Sequence, residues 1–485
     1  MVLLHVGNIN TRIEGDVDSD LRLALTRAMR YKTKEYNGFE FVELEHNLFN
    51  KSRLTFPTGL YSKAATVLKK YDIDFDFIDD RKQFDSTNKP LKLHEVTPYD
   101  YQEKIITDSI NSQRFIIQVA TGGGKTVIAA AILARLNVPS LFVVHTGDLF
   151  EQAHDELSRM LKIPIGKIGG GEFDIQQINV CMVQTIHSVL KSKYIPFDEV
   201  EKEQMEKDEI VKKSYDVRNE EVKKAIQNAQ CVLIDECHHL RSNSYVSTMK
   251  ACKNAFYRGG MSATPHAGDS RDIILQAYAG KIVGKITASF LIKNGYLVKP
   301  KIYYLLGSKS GAYKYSRQRY NSIYKKHIVE NAFRNQLIVD CVERFKELEK
   351  SVLITVTTKK HGKMLLKMIS ELDVSVEFLY SKVNKLERKK FIQQVRDKKL
   401  DVIIGTSLAD EGLNIPALDS LILAGGGKSK TRIIQRIGRT LRLSNGKDEA
   451  IVVDFKDCYR YLLGHYKERR KMCEAEPEFE IIESF

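Results

Sequence analysis

The sequence contains no apolar run approaching the roughly 20 residues that cross a bilayer, which excludes an ordinary membrane-spanning helix. Its first residues, Met1-Val-Leu-Leu-His-Val, lack the basic start, longer apolar stretch and small-residue cleavage site of a secretory signal, so they read as a first strand and the chain is expected to stay in the cytoplasm. CxxC spacing is also missing. The seven cysteines, at 181, 231, 237, 252, 341, 458 and 473, are odd in number, which argues against a disulfide framework and for buried, reduced thiols. Cys237-His238-His239 has no second pair of ligands to complete a zinc site. No short-period repeat is visible, and no carboxylate-lysine cluster of a nuclease.

What is present is a chain of 485 residues, 43% hydrophobic and 28% charged, enough for roughly three soluble domains. Its net charge of +14 draws it toward polyanions through a salt-sensitive field.

From residue 114 onward, strand-like runs alternate with helical stretches: Phe115 to Val119, Ser140 to Val144, Asn179 to Val183 and Cys231 to Ile234. A second series follows: Val352 to Val356, Val376 to Leu379, Val402 to Gly405, Ser420 to Leu423 and Ala450 to Val453. Alternation of this kind predicts two α/β lobes with parallel sheets. They are expected to join at Ile286 to Lys301, where Gly295 and Pro300 interrupt regular structure. Ahead of them, strand-like Phe39 to Leu44, Leu54 to Pro57 and Phe75 to Ile78 with helix-like Tyr61 to Tyr71 predict a small α/β module. The expected domains are 1–90, 91–288 and 289–485. Glu199 to Asn228, rich in Glu and Lys, reads as an inserted solvated helix or helical pair, and Glu474 to Glu483 as a solvated acidic tail.

The run Ala120-Thr121-Gly122-Gly123-Gly124-Lys125-Thr126 follows a strand and precedes an alanine-rich helix, the context of a phosphate-binding loop, although Val119 stands where the strict pattern has glycine. Glycines let backbone N–H groups converge on phosphate oxygens, and the helix N-terminus adds favourable partial charge. Lys125 is expected to neutralise the β/γ-phosphates of ATP and Thr126 to hold Mg²⁺. A buried strand then ends in Asp235-Glu236. Asp235 suits Mg²⁺ coordination through water, and Glu236 suits deprotonation of the attacking water. Phosphoryl transfer also needs a cation on the developing charge. Gln435, Arg439 and Arg442 lie four and three residues apart and would share one helical face, with Arg436 pointing elsewhere.

With these motifs in order, the chain resembles a superfamily 2 helicase from about 95 to 455. The resemblance implies two RecA-like lobes with a small N-terminal α/β domain, ATP and Mg²⁺ as cofactors, and nucleic acid as the partner. It makes Gln102 the adenine-reading glutamine, His238 a relay or else a satisfied core histidine, and Ser262 with Thr264 the coupling motif. Gly405 to Pro416 resembles the motif in which Thr406 touches the nucleic-acid backbone while Gly412 and Asn414 approach nucleotide. Thr146, Thr185, Thr357 and Ser381, just after strands, are implied backbone contacts, although each also suits a cap or turn. Tyr313, Tyr315, Tyr320 and Tyr324, interleaved with basic residues, either stack bases or pack a helix on the second lobe.

The small N-terminal module, which resembles that family's small N-terminal DNA-binding domain, and the Gly425-Gly-Gly-Lys-Ser-Lys-Thr431 lead-in make the chain further resemble phage recombination helicases of the UvsW type. That implies a helicase acting on forked or Holliday-type DNA, in host cytoplasm if phage-encoded. An RNA helicase and the motor subunit of a restriction-type complex remain alternatives.

Overall fold

Runs of Val, Ile and Leu that cannot reach water have to lie inside sheets covered on both faces, and the chain builds two such sheets. The computed structural model describes residues 1–82, 88–191, 209–266, 268–380, 383, 385–406, 418–444 and 446–484. Contacts divide the chain into two units, Met1–Val119 with Gly124–Lys285 and Ala120–Gly123 with Ile286–Phe485. Among the described residues, no helix is long and apolar enough to cross a membrane.

The first unit opens with β1 (Val2–Val6), β2 (Asn10–Glu14), β3 (Arg30–Tyr36), β4 (Phe41–Asn47), β5 (Thr55–Pro57) and β6 (Phe75–Asp79). Four of these form a sheet in the order β5-β2-β1-β6, while β3 and β4 pair only with each other. Alternation of buried and open positions along β1 and β2 fits a sheet with one wet face. The helices Ser19–Ala28 and Tyr61–Lys70 pack on each other, with Leu21, Leu25, Ala64 and Leu68 buried.

The core of this module is continuous with that of the sheet that follows: Leu4 and Leu25 belong to the same apolar cluster as Val232 and Ile274. Gly59 explains how close the approach is. A Cβ there would sit 2.0 Å from the Gln276 carbonyl oxygen and 2.6 Å from that of Ala277.

The large sheet of this unit comprises β7 (Arg114–Val119), β8 (Ser140–Val144), β9 (Ile165–Gly169), β10 (Glu172–Asp174), β11 (Ile178–Met182), β12 (Cys231–Asp235), β13 (Tyr257–Ser262) and β14 (Lys281–Ile286), in the order β10-β9-β11-β8-β12-β13-β7-β14. Pairing is parallel from β9 through β11, β8, β12 and β13 to β7, and antiparallel for β10 on β9. Register aligns Asp235 with Met261 and Ser262 with Gln118, which brings the carboxyl ends of β12, β13 and β7 to one rim. Of the charged insertion, Glu209–Asn228 is one helix, with Val222 and Ile226 buried against the core; residues 199–208 lie outside the described residues.

In the second unit, β15 (Lys299–Leu306), β16 (Val352–Thr355), β17 (Val376–Leu379), β18 (Val402–Gly405), β19 (Ser420–Ile422), β20 (Glu449–Lys456) and β21 (Glu480–Ser484) form one sheet, β17-β18-β16-β19-β20-β15-β21, parallel throughout.

Two expectations fail at least in part. In the expected joining segment Gly295, at φ +73°, follows the end of the helix Ala288–Lys293, but Pro300 does not interrupt regular structure and lies inside β15. Proline is tolerated because pairing to β21 starts only at Lys301. The acidic tail is likewise not a solvated appendage. Its last residues are β21, Glu476 accepts from the Ser289 backbone N–H and hydroxyl at 2.9 and 2.7 Å, and Glu483 pairs with Arg470. Adjacent Ile481 and Ile482 supply enough apolar surface to seat a strand whose glutamates find partners. All seven cysteines are free, and six are buried.

Replacing Gly59 with valine is expected to destabilise the first unit by about 1–3 kcal/mol, because the carbonyls it would strike belong to a helix. Urea unfolding of the full chain measures this, and an unchanged midpoint would contradict the packing described.

Candidate functional site

The phosphate loop is shaped by its glycines. Gly122 and Gly124 hold φ of +89° and +77°, and Gly124 caps the helix Lys125–Leu136 in the left-handed region. The position also has no room for a side chain, because a Cβ on Gly124 would lie 2.3 Å from the Gln102 amide nitrogen. Gln102 is 2% exposed and lies in the first turn of the helix Asp100–Ser112, its Oε1 accepting from the Tyr99 N–H at 2.9 Å. The expected adenine reader is thus held beside the loop by its own helix cap. Exposed Tyr99 stacks on Tyr101 nearby.

Lys125 extends to Glu236, and its ammonium donates to Oε1. Burial opposes the charge on Lys125, yet Glu236 and Asp235 beside it raise its pKa above the ordinary lysine value. Burial would raise Glu236 in turn, but Lys125 and His238 hold it below the usual carboxylate range. Its other oxygen, Oε2, accepts from the Ser262 hydroxyl at 3.0 Å and lies 3.2 Å from His238 Nδ1, which is itself 3.1 Å from Ser262 Oγ. The Thr264 N–H donates to the same Ser262 oxygen at 3.2 Å.

Five expected residues, Lys125, Glu236, His238, Ser262 and Thr264, therefore form one connected network. Glu236 adopts φ +48° and ψ +54°, unusual for a residue with a side chain and a sign that its placement is imposed by the surroundings. Asp235 accepts from the Glu236 N–H at 3.0 Å. Burial raises its pKa while Lys125 opposes the rise, so a cation would favour its charged form.

Asp235 and the Thr126 hydroxyl are hard oxygen donors, and among the described residues no cluster of three or more His, Cys, Asp or Glu forms a metal cage. That donor set fits Mg²⁺, which takes one or two carboxylates together with phosphate and water.

Other expected positions serve local structure. The Thr146 hydroxyl caps the helix Gly147–Leu161, accepting from the Leu149 N–H at 3.3 Å. Thr185 falls inside the helix Val183–Leu190 rather than on a step before it. Thr406 is buried, with its N–H on the Leu379 carbonyl. Ser381, Gly412 and Asn414 lie outside the described residues.

In the second unit, Gln435, Arg436 and Arg439 sit on the helix Lys430–Thr440, and all three are buried. The shared helical face does not extend to Arg442. The helix ends at Thr440, and Arg442 forms a bridge with Leu297 while the Val298 N–H reaches the Leu441 carbonyl, because buried Leu441 and Leu297 draw the chain into an extended contact.

The Thr357 hydroxyl donates to the Gly425 carbonyl at 3.2 Å, and buried Tyr324 donates to the same oxygen at 2.9 Å. Tyr324 and Tyr320 therefore pack, whereas Tyr313 and Tyr315 are exposed.

The matches to known families follow this geometry. Residues 95–267 match the model of the type III restriction enzyme res subunit, and residues 334–444 that of the helicase conserved C-terminal domain. The chain belongs to the superfamily 2 helicases. These enzymes hydrolyse ATP and act on nucleic acid.

The helicase is 27% identical to putative helicase 22 of Sulfolobus islandicus filamentous virus, over 88% of this chain and 75% of that protein. It is 25% identical to the DNA 3'-5' translocase XPB2 of Sulfurisphaera tokodaii over 80% and 88%, and 23% identical to the ATP-dependent DNA helicase uvsW of Enterobacteria phage T4 over 78% and 72%. It shares its fold with a fragment of a putative HsdR subunit of a type I restriction enzyme from Vibrio vulnificus, at a TM-score of 0.56 and 18% identity over 94% of this chain and 79% of that one.

Sequence reading of the helicase missed Arg241 and Asp272. Arg241 donates to the Pro265 carbonyl at 2.9 Å and pairs with Asp272, tying down the segment after Thr264. No motif spacing marks either residue.

Truncating Lys125 to alanine leaves the Glu236 carboxylate buried without its cation. The expected loss at pH 7 and without nucleotide is about 3 kcal/mol. Since Glu236 titrates below its unfolded value, its contribution is present above about pH 4.3 and disappears as pH falls through the lower native value. The gap between the two proteins should therefore narrow toward pH 3. Denaturant unfolding at several pH values measures it, and a gap independent of pH would contradict the pairing.

Proposed function

We propose that this helicase is an ATP-driven DNA translocase that unwinds or branch-migrates forked and Holliday-type DNA. The observation that carries the reading is the Lys125–Glu236–Ser262–His238 network at the strand ends of the first unit. Two relatives, a DNA translocase and a DNA helicase, favour DNA over RNA. Two relatives from viruses favour a setting in host cytoplasm.

Bound MgATP supplies a γ-phosphoryl group that water can attack. Lys125, on leaving Glu236 Oε1, becomes available to neutralise phosphate oxygens. That departure frees Oε1 to accept the proton of the attacking water, while Ser262 and His238 continue to hold Oε2. Thr126 and Asp235 are the proposed Mg²⁺ ligands, and Thr121, Gly122, Gly123 and Gly124 are the proposed backbone donors to phosphate, Gly123 by exchanging the Ala120 carbonyl to which its N–H donates at 3.0 Å. Arg439 and Arg442, with Gln435, are the proposed stabilisers of γ-phosphate charge. Ser262 and Thr264 stand directly between the base and the segment up to Asp272, which suits them to pass a change at Glu236 onward.

The Glu236→Gln substitution should keep nucleotide binding and lower turnover by roughly 10²- to 10⁴-fold. Undiminished turnover would remove Glu236 as the base. The substrate is tested by ATPase stimulation with single-stranded DNA, forked DNA and RNA at one salt concentration. DNA is expected to stimulate most, and preference for RNA would overturn the reading. Unaided unwinding of forks by the purified chain would separate it from a subunit that works only beside a nuclease.

A further inference from the structure

The pair β3–β4 forms a two-stranded sheet of its own. Seven residue pairs, from Arg30↔Asn47 to Tyr36↔Phe41, give a ribbon about 20 Å long. Its inner face rests on the body through half-buried Tyr31, Thr33 and His46, with Tyr31 stacked on His46 at 5.0 Å. Its outer face is braced by cross-strand ion pairs, Lys32–Glu43 at 2.6 Å and Arg30–Glu45 at 3.1 Å.

The tip is ordered. The Asn37 side-chain oxygen accepts from the N–H groups of Phe39 and Glu40 at 3.0 and 2.9 Å, and Gly38 takes φ +100° with nothing near its Cβ position. That ordered tip carries three aromatic side chains in the open: Phe39 is 94% exposed, Phe41 72% and Tyr36 60%. Tyr36 and Phe41 lie ring to ring at 5.3 Å.

Leaving such rings in water is unfavourable, and two features say what they meet. Three basic residues (Arg30, Lys32, Lys34) face four acidic ones (Glu35, Glu40, Glu43, Glu45) on the ribbon, so it has no cationic surplus with which to grip phosphates. Its tip is also only one residue pair wide, far short of the roughly 800 Å² a protein partner usually covers. A narrow, ordered end whose exposed rings are flanked by Glu40 suits stacking on the face of a base pair rather than a grip on its phosphates.

The root of the ribbon is tied to the ATP machinery. Lys32 N–H donates to Ser270 Oγ at 2.9 Å, and that hydroxyl donates back to the Lys32 carbonyl at 3.2 Å. Ser270 lies between Thr264, bonded to Ser262, and Asp272, which is paired with Arg241 and accepts from the Gly268 N–H at 2.9 Å.

We propose that the β3–β4 hairpin is a base-stacking pin that parts the strands of a duplex, and that Ser270 couples it to the nucleotide-sensing segment behind Ser262. The proposal rests on the reading of the chain as a DNA motor. Phe39, Phe41 and Tyr36 stack on the terminal base pair at the fork and hold it open while the motor draws one strand away.

The test uses the full chain with Phe39→Ala and Phe41→Ala together, two exposed positions whose loss leaves the fold intact. ATPase stimulated by single-stranded DNA should stay within about twofold, while unwinding of a forked duplex should fall at least about tenfold. Phe39→Tyr with Phe41→Tyr keeps the rings and should restore unwinding. Unwinding undiminished in the alanine variant, or ATPase falling in step with it, overturns the pin. Ser270→Ala should raise the ATP consumed per base pair opened, and an unchanged ratio overturns the coupling. Failure of the motor reading itself looks different: the unaltered protein would then show no DNA-stimulated ATPase at all.

Discussion

A lysine and a glutamate 111 residues apart in sequence neutralise one another in the interior of the first unit, and the chemistry is arranged around that contact. Neither charge could be buried alone, because desolvation of each is several kcal/mol. Together, with Ser262 and His238 occupying the second carboxylate oxygen, they make a site that is stable without ligand yet ready to exchange partners. In the proposed mechanism, phosphate takes the lysine and the same carboxylate keeps one oxygen available to act as a base. Stability and reactivity thus depend on the same few atoms.

The parallel sheet is what makes that contact possible. β12, β13 and β7 are buried on both faces and aligned so that Asp235, Ser262 and Gln118 arrive at one rim. Polar side chains collect there because the strands themselves offer no tolerable place for them. The second unit solves a parallel problem with arginine. Arg334 and Arg469, both fully buried, pair with Asp457 and Asp454 at 3.0 and 2.7 Å and extend to the carbonyls of Ala424, Gly427 and Phe455. These bonds hold the loop from Ala424 to Gly427, where Gly426 and Gly427 have φ of +59° and +98°. The triple glycine before Lys428 is therefore a turn pinned from below.

Much of this was legible beforehand where local pattern and tertiary demand agree. β8, β17 and β18 fall at the expected residues, because short β-branched runs bounded by polar or glycine residues have few other solutions. Elements with mixed composition were not legible. β15 contains Pro300, and β21 sets two isoleucines between glutamates; each becomes a strand only because a neighbouring edge is there to pair with it. Helical periodicity assigned Arg442 to a face it leaves, since buried Leu441 and its neighbour Leu297 outweigh continuation of the helix.

By itself, the sequence determined the chemistry: a glycine loop ending in Lys125-Thr126, a strand ending in two carboxylates, and an arginine-bearing helix, all recognisable because phosphate binding restricts residue type at fixed spacing. Tertiary structure alone decided which groups touch. The pairing of Lys125 with Glu236, the place of His238 in that network, the merging of the N-terminal core with the first sheet at Gly59, and the bond from Ser270 to the root of β3 join residues tens to hundreds of positions apart. Such contacts follow from how sheets and helices stack, and no local pattern encodes them.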